Sequence, residues 1–461
     1  MSRNHHFKKY LDLRKKHPQF FYHSFDYHFQ EEEFVLEFHF SIGQAYHFHP
    51  KHIIQLPKQL KWKTLDKQEL DQLVFHLGMV EVVSYWKASC SPELIIKAFK
   101  LNAAQIEWWK KLYFEGLGEF FYLNSIETKL SDFMTISCES EREIKAFHHH
   151  IDDTRVMVPV GGGKDSVVSL ELIKEMKKEV IPMVVNPRGA TIETIENAGF
   201  KVAESVITKR SIDPQLLVLN QKGYLNGHTP FSAMLAFLSL LSSRLLGIKY
   251  VALSNESSAN ESTVEGTNIN HQYSKSYEFE SDFRSYYQAY LNPNQEYFSF
   301  LRPLSEMQIA SLFSGFTQHH HSFKSCNVGS KENKWCGHCS KCLFTYILLS
   351  PFIEQARLRE IFGKELLSDM TLKPILSELR GQADTKPFEC VGTVSEVELS
   401  LRHAKTGFFK EALMQDITPS GTTDDLVKAL SEWNEVHALP VEFECVLRQK
   451  TKDLGTDILK D

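Results

Sequence analysis

A doubly wound parallel α/β sheet is the fold class this sequence predicts, with an N-terminal α+β domain before it and a mostly helical region after it. Three observations carry that reading. From residue 155 to about 320, apolar β-forming runs alternate with helical stretches, the pattern of a parallel sheet covered on both faces. The first run, Val156-Met157-Val158-Pro159-Val160, leads straight into Gly161-Gly162-Gly163-Lys164-Asp165-Ser166 and a helix start. Four of the eight cysteines crowd between 326 and 342, after the last strand. The length of 461 residues suits about three domains, divided at 1–150, 151–345 and 346–461.

Hydrophobic residues make up 42% and charged residues 24%, the balance of an ordinary globular protein. The opening Met1-Ser2-Arg3-Asn4-His5-His6 runs into Lys and Arg without an apolar stretch, so no signal peptide is expected and the cytoplasm is the expected compartment. The longest apolar run, 231–241, is broken by Ser232 and Ser239 and is too short to span a bilayer; no membrane role is expected. A net charge of −6 offers no general attraction to nucleic acid. Of the 21 histidines, the runs at 148–150 and 319–321 lack the i, i+4 spacing of a helical metal pair and read as surface residues.

In the N-terminal region, Phe34-Val35-Leu36-Glu37-Phe38-His39-Phe40 alternates as a half-buried strand does. Leu70, Leu73, Val74, Leu77, Val80 and Val83 recur at helical spacing over 68–86. The aromatics of Ser84-Tyr85-Trp86-Lys87 and Gly116-Leu117-Gly118-Glu119-Phe120-Phe121 belong in a core, while the Gly-x-Gly-Glu turn can instead present Glu119 to a ligand.

The sheet begins with a strand at 156–160 and a helix over about 166–178. A second strand, 180–185, ends at Asn186-Pro187-Arg188, and a helix over 191–198 stops at Gly199, a natural C′ residue. A third strand is expected at 201–207. Thr229 is the expected N-cap, and Pro230 the first helical residue, of a buried helix. The fourth strand, 250–253, ends at Ser254-Asn255-Glu256. The fifth, 297–301, runs into Arg302-Pro303-Leu304 and a helix from Ser305. Between these two lies a long polar connection carrying Glu261 and Asn270-His271-Gln272-Tyr273-Ser274-Lys275-Ser276. Ligands of such sheets sit beyond the carboxyl ends of the strands, which makes Asn186, Glu256, Glu261, His271, Tyr273 and Lys275 candidates. Arg284 and Arg302 can bind a substrate phosphate or carboxylate, or form structural ion pairs.

Cys326-x9-Cys336-x2-Cys339-x2-Cys342 has the spacing of a tetrahedral zinc site. Four cysteines suit an iron–sulfur cluster as well. Such clustering without an export signal favours metal over disulfides. A closed site of this kind would be structural, pinning the segment after the sheet onto the sheet domain. From 345 onward the chain reads as mostly helical, with an amphipathic run at 351–366 and a polar helix and loop over 404–420, suited to capping the domain or to a homo-oligomer contact. Pro387-Phe388-Glu389-Cys390-Val391-Gly392 interrupts it as a candidate active-site loop, and Cys390 is an outside contender for catalysis.

Three glycines let the backbone turn sharply and approach a ligand. The helix that follows offers unpaired N–H groups and a positive dipole end to a phosphate. Lys164 adds a cation, and Asp165 and Ser166 add oxygen ligands for Mg²⁺. The four-residue spacing of a Walker A loop is absent, and Ser166 stands where a dinucleotide fingerprint needs its third glycine. What remains resembles the Ser-Gly-Gly-x-Asp-Ser signature of the PP-loop ATP pyrophosphatases, with Gly161 at the serine. That resemblance implies a HUP-type, adenine nucleotide alpha hydrolase-like fold whose ATP is split into AMP and pyrophosphate, with Gly161, Gly162, Gly163, Lys164, Asp165, Ser166 and Asn186 around the nucleotide.

A PP-loop followed by four cysteines is similar to 7-cyano-7-deazaguanine synthase, an alternative that would put the chemistry on a nucleobase or, as in thiolation, a tRNA. That layout leaves 1–150 and 350–461 unexplained. A family of UDP-N-acetylmuramoyl-L-alanyl-L-glutamate epimerases matches nearly the whole length. The resemblance rests on Gly78-Met79-Val80-Glu81, Ser84-Tyr85-Trp86-Lys87, Gly116-Leu117-Gly118-Glu119, Val160 to Ser166, Asn226-Gly227-His228-Thr229-Pro230, Ser254-Asn255-Glu256, Asn270 to Ser276 and Cys336-Gly337-His338-Cys339. In that family a glycine at 161 is no departure. The resemblance implies ATP- and Mg²⁺-dependent inversion of the terminal L-Glu of a UDP-linked muramoyl dipeptide, with AMP and pyrophosphate released. Lys164 and Asp165 are then expected in the activation step, and Glu256, Glu261, His271, Tyr273 and Lys275 remain candidates for the proton transfers, with Glu119 and Cys390 as outside contenders.

Overall fold

A computed structural model describes residues 3–260, 273–383, 386, 387, 389, 391–419 and 423–457. The fold is mixed α/β, with a large sheet rich in parallel pairs and many helices. Its strands are β1 (Gln19–Gln30), β2 (Glu33–Ile42), β3 (Tyr46–Phe48), β4 (Lys51–Gln55), β5 (Glu93–Ile96) and β6 (Thr135–Cys138). They continue with β7 (Asp152–Pro159), β8 (Glu179–Val185), β9 (Val206–Ser211), β10 (Ile248–Leu253) and β11 (Glu296–Ser299). Backbone contacts divide the chain into two units, one of 1–157, 203–251 and 272–297, the other of 158–202, 252–271 and 298–461.

In the first unit the strand order is β9-β4-β2-β1-β5-β6, with β3 beside β2. β1 and β2 form a long antiparallel ribbon from Phe20↔Ile42 to Gln30↔Glu33, with a bulge between Tyr22 and Ser24. The alternation read in β2 buries Phe34, Leu36, Phe38 and Phe40. They face the helix Lys67–Trp86, capped by Asp66, whose carboxylate accepts from the Gln68 and Glu69 amides at 2.8 and 3.3 Å. Gly78 lets that helix settle on Tyr22, because any Cβ there would collide with the phenol oxygen. The helix is buried almost all round, so its acids need partners: Arg244 pairs with Glu69 at 2.6 Å and Arg210 with Glu81 at 2.9 Å.

Several expectations are corrected here. Residues 202–204 close into a 3₁₀ turn, whose Ala203 carbonyl accepts from the Lys58 amide, and the strand comes later as β9. β9 then pairs antiparallel with β4. The buried helix is Phe231–Leu246, with Pro230 itself at the N-cap; the Phe231 amide turns back to the Thr229 carbonyl, so Thr229 caps nothing.

The second unit holds the end of β7, all of β8 and the last residues of β10 and β11, and the neighbour order of these strands is β11-β10-β7-β8. β7 and β10 run parallel. The first helix is Lys164–Lys174, earlier and shorter than expected, because Gly163 already occupies the extended cap conformation. The helix Gly189–Asn197 ends with Gly199 at φ +86°, and Ser305 caps Glu306–Gly315 through a reciprocal capping box with Gln308. The run at 351–366 is helical only over Gln355–Phe362, where Gly363 at φ +76° stops it. Residues 404–420 hold the 3₁₀ turns Thr406–Lys410 and Ala412–Met414 in place of a helix. His319 and His320 are buried, contrary to the surface reading, and His319 lies 2.7 Å from Glu171 on the helix after the glycine loop. Among the described residues no helix is long and apolar enough to cross a membrane.

Candidate nucleotide loop and cysteine centre

β7 carries Val156, Met157 and Val158 through the core, and the Val160 amide still donates to the Met183 carbonyl of β8 at 2.8 Å. The chain then breaks away over three glycines. Gly162 sits at φ +81°, and a Cβ there would come within 2.9 Å of the Ala190 carbonyl carbon and the Thr191 nitrogen, so the loop lies directly on the head of Gly189–Asn197. Ser166 turns back from the helix: its hydroxyl accepts from the Gly162 amide at 3.1 Å and donates to the Gly163 carbonyl at 2.9 Å. Space beside Gly161 is open, with nothing within 4 Å of where a Cβ would be. The loop is thus a backbone concavity at a helix N-terminus, the arrangement that suits a phosphate. Asn186, in the left-handed region at φ +50°, ends β8.

Lys164 is buried and contacts two carboxylates, Asp165 beside it and Glu306 at the head of Glu306–Gly315. Burial opposes its charge, yet Asp165 and Glu306 raise its affinity for the proton above the ordinary lysine range. Glu306 is also pushed well above the carboxylate range, by burial, against the pull of Lys164, and further by Asp165, Glu256 and Glu396. Lys164 thus touches Asp165 and Glu306, with the Glu256 and Glu396 carboxyl groups also acting on Glu306, and both shifts favour keeping a proton in the cluster. Glu396 closes it: one oxygen accepts from the Glu306 amide at 2.7 Å and the other from Thr393 at 2.7 Å. Glu306 and Glu396 were missed in the sequence. Thr393-x-x-Glu396 was legible as a capping box, but nothing local tells that the same carboxylate holds a helix 90 residues upstream.

Glu256 is buried; its carbonyl accepts from Arg302 at 2.6 Å, and one side-chain oxygen accepts from Ser258 at 3.4 Å. Arg302 is wholly enclosed and also donates to Ser299 at 3.2 Å, so it braces the ends of β10 and β11. Of the other expected residues, Arg284, Tyr273, Lys275 and Glu119 lie in the first unit. Arg284 donates to the Tyr297 carbonyl at 2.6 Å and to Glu296 at 2.9 Å. Tyr273 and Lys275 share the 3₁₀ turn Tyr273–Lys275, where burial pushes the Tyr273 phenol far up. Glu119 lies 3.5 Å from His228. Glu261, His271 and Cys390 fall outside the described residues.

The four cysteines come together. Sulfur–sulfur distances are 3.8 Å for Cys326–Cys339, 3.6 Å for Cys336–Cys342 and 3.5 Å for Cys339–Cys342. Four sulfurs about 2.3 Å from a tetrahedral zinc would stand about 3.8 Å apart, whereas a disulfide needs about 2 Å. The set therefore fits a tetrahedral metal. Backbone amides complete it: Gly329 and Cys336 donate to Cys326, and Gly337, at φ +72°, donates to Cys342. Hydrogen bonds from Cys342 and the other thiols favour the Cys339 thiolate, while burial and these same bonds push the Cys336 and Cys342 thiols up, so in the metal-free cluster the protons stay on its neighbours. The segment is tied to the glycine loop, as the Lys324 amide donates to the Gly162 carbonyl at 2.7 Å. Asn333 packs on Gly189 and donates to Glu193 at 2.7 Å.

Comparison with known proteins joins these observations. Residues 12–300 match the family model of the MurL N-terminal domain, and residues 322–419 that of the MurL C-terminal domain. A curated relative from Xanthomonas oryzae pv. oryzae is 32% identical over 379 residues, covering 79% of this chain and 83% of its own. Relatives from a Micromonospora species and from Salinispora tropica are each 35% identical, over 70% and 72% of this chain and 73% of their own lengths. All three are named UDP-N-acetyl-alpha-D-muramoyl-L-alanyl-L-glutamate epimerase.

Proposed function

The chain belongs to the MurL family of epimerases, and on that premise we propose that it inverts the terminal L-glutamate of UDP-N-acetylmuramoyl-L-alanyl-L-glutamate to D-glutamate, in the cytoplasm, after ATP-dependent adenylation of that residue's carboxylate. The product would feed peptidoglycan precursor synthesis. The observation that carries the activation step is the glycine loop: an open backbone concavity at a helix head, with a buried lysine beside it.

The chemistry explains why ATP would be needed. The glutamate nitrogen lies in a peptide bond, so no Schiff base can form on it. The charge of the α-carboxylate opposes removal of the Cα proton. Adenylation removes that charge and acidifies Cα–H; a proton then leaves one face and another enters the opposite face, and hydrolysis releases AMP. In a PP-loop type fold, Gly161, Gly162 and Gly163 would present their amides to the phosphates, Asn186 would border the nucleotide, and Lys164 would lie where pyrophosphate departs. Asp165, aided by Ser166, would hold Mg²⁺, whose charge would offset that of the departing group. Cys326, Cys336, Cys339 and Cys342 would hold a structural zinc, keeping the segment from Lys324 to Asn333 against the loop. Arg302 would act by bracing Glu256 at the strand ends, and Arg284 by its bond to the Tyr297 carbonyl.

Incubation with ATP, Mg²⁺ and the UDP-linked L-Ala-L-Glu substrate tests the proposal, with AMP and the chirality of the released glutamate as readouts. Stoichiometric AMP with D-glutamate is expected. AMP without D-glutamate would overturn the inversion, and D-glutamate without AMP would overturn the adenylation.

A further inference from the structure

The outer face of the first unit's sheet carries polar side chains that the proposed reaction does not use. β2 alternates, burying Phe34, Leu36, Phe38 and Phe40 and turning Glu37 and His39 outward as i, i+2 neighbours. The register brings two more strands to them. Asp26 of β1 pairs with Glu37, and Glu37 pairs with Lys51 of β4. The Phe38 amide donates to the Pro50 carbonyl at 3.1 Å, which carries that register one step on and sets His49 across from His39. His49 is held there by its own amide, which donates to the Asp213 carboxylate at 2.6 Å.

In that setting the Nδ1 atoms of His39 and His49 stand 2.8 Å apart, and Glu37 Oε1 lies 3.5 Å from the same His49 atom. All three ligand atoms fall within 4.8 Å of one another. The second separation is too long for a hydrogen bond, but both suit atoms that share an ion. Ligands about 2.0–2.2 Å from one ion stand about 2.9 Å apart at right angles and about 3.4 Å apart at the tetrahedral angle. On its far side His39 gives its Nε2 hydrogen to Asp26 at 2.8 Å. A carboxylate accepts only, so this contact fixes the tautomer and turns the Nδ1 lone pair toward His49, the arrangement that stands behind metal-bound imidazoles. Lys51 takes the other Glu37 oxygen at 2.7 Å and leaves Oε1 toward His49. The side chains of His39 and Glu37 are 23% and 27% accessible, so an ion can enter from solvent. The set Glu435, His437 and Glu444 is the contrast: Arg448 donates to Glu444 at 2.6 Å and to Glu435 at 2.8 Å, so a guanidinium already fills the place of an ion.

We propose that Glu37, His39 and His49 bind a divalent transition-metal ion, with Asp26 as the positioning residue behind His39. Two imidazoles and a carboxylate suit zinc or nickel, whereas magnesium and calcium prefer all-oxygen sets and copper(I) prefers thiolate or thioether. The ion would stand where the two rings now share one hydrogen, and water would complete its coordination. It would tie β2 to the entry of β4, so binding should stabilise the folded chain. The site lies wholly within the first unit and is independent of the epimerase reading and of the cysteine centre.

Equilibrium dialysis of the full-length protein over a range of Zn²⁺ concentrations at neutral pH, with bound zinc counted by plasma emission, tests the site. The readout is the difference between wild type and each variant, so weak binding at other histidines cancels. His39→Ala and His49→Ala should each bind one zinc fewer per chain than wild type. Cys339→Ser should lose a different zinc, so that combining it with His39→Ala removes both. Asp26→Asn should keep the outer-face ion at about tenfold lower affinity, the lower end of what such a carboxylate contributes. Glu444→Gln should bind zinc as wild type does. Saturating Zn²⁺ should also raise the melting transition of wild type more than that of His49→Ala. A His39→Ala protein that binds as many zinc ions as wild type, with affinity within about twofold, would overturn the proposal. An equal rise in melting for wild type and His49→Ala would overturn it too. If His39→Ala melts early without metal, His49→Gln, altered at the more exposed imidazole, makes the same comparison.

Discussion

Gly162→Ala tests whether the glycine loop lies as tightly on the helix Gly189–Asn197 as its backbone indicates. The added Cβ would stand 2.9 Å from the Ala190 carbonyl carbon and from the Thr191 nitrogen, where ordinary contact begins near 3.4 Å. Loop and helix would have to part by 3.4 − 2.9, or about 0.5 Å, and both of these atoms are backbone, which cannot swing aside. The left-handed conformation at φ +81° costs an alanine about 1–2 kcal/mol. Overpacking adds about 1–3 kcal/mol, for a total of about 2–5. Gly199 separates the two contributions, because it has φ +86° and nothing within 4 Å. Gly199→Ala should therefore lose only the conformational part, about 1–2 kcal/mol. Urea unfolding of both variants, followed by tryptophan fluorescence, gives the difference from the midpoints. Gly162→Ala should be the less stable by about 1–3 kcal/mol. Equal losses would refute the close packing, and with it the argument that this glycine is needed for more than its turn.

Glu306→Ala removes one of the two carboxylates in contact with buried Lys164; breaking such a pair costs about 3–5 kcal/mol, and substrate-dependent AMP release should fall about tenfold or more. Unchanged turnover in a folded variant would remove Glu306 from the site. Cys339→Ser should bring zinc, measured by plasma emission, to background and lower the melting transition; an unchanged transition in metal-free protein would contradict a structural metal. Glu81 predicts an acid limb. Burial pushes it up, but Arg210 and then His52 bring it down to about 2 from 4.5. Its folded value lies below its unfolded one, so the stability, (4.5 − 2) × 1.36 or about 3 kcal/mol, is present above about pH 4.5 and lost as pH falls toward 2. Glu81→Gln should flatten the stability–pH curve over that window, and an unaltered curve would contradict the assignment.

Features set by near neighbours were legible in the sequence. The alternation of β2, the span Lys67–Trp86, the stop at Gly199 and the cap at Ser305 each depend on a few adjacent residues. The glycine loop and the cysteine spacing were readable for the same reason. What escaped depended on distant partners. The β9 segment has an apolar pattern that fits either neighbour direction, and its antiparallel place is decided by β4, whose Lys51 pairs with Ser211. His319 reads as polar surface until Glu171 is seen beside it. Pro230 at the N-cap reflects a turn in which Phe231 already binds the Thr229 carbonyl, a preference that the Thr-Pro pair alone does not reveal. The position of Lys164 points to a phosphate ligand, but its counter-charges, Glu306 and Glu396, come from elements far along the chain.

The grip of Glu306 on Lys164 spans 142 positions, and Glu396 lies another 90 beyond Glu306. A ribosome adding about 5–20 residues per second makes Lys164 roughly 7–28 s before Glu306 exists, and Glu396 follows about 5–18 s later. Through that interval the nascent lysine has only Asp165 from its final pair. The glycine loop is thus made long before the distant carboxylates that temper the charge of Lys164. Pauses in translation between these positions would lengthen that window, so codon usage downstream of the loop bears on how this enzyme matures.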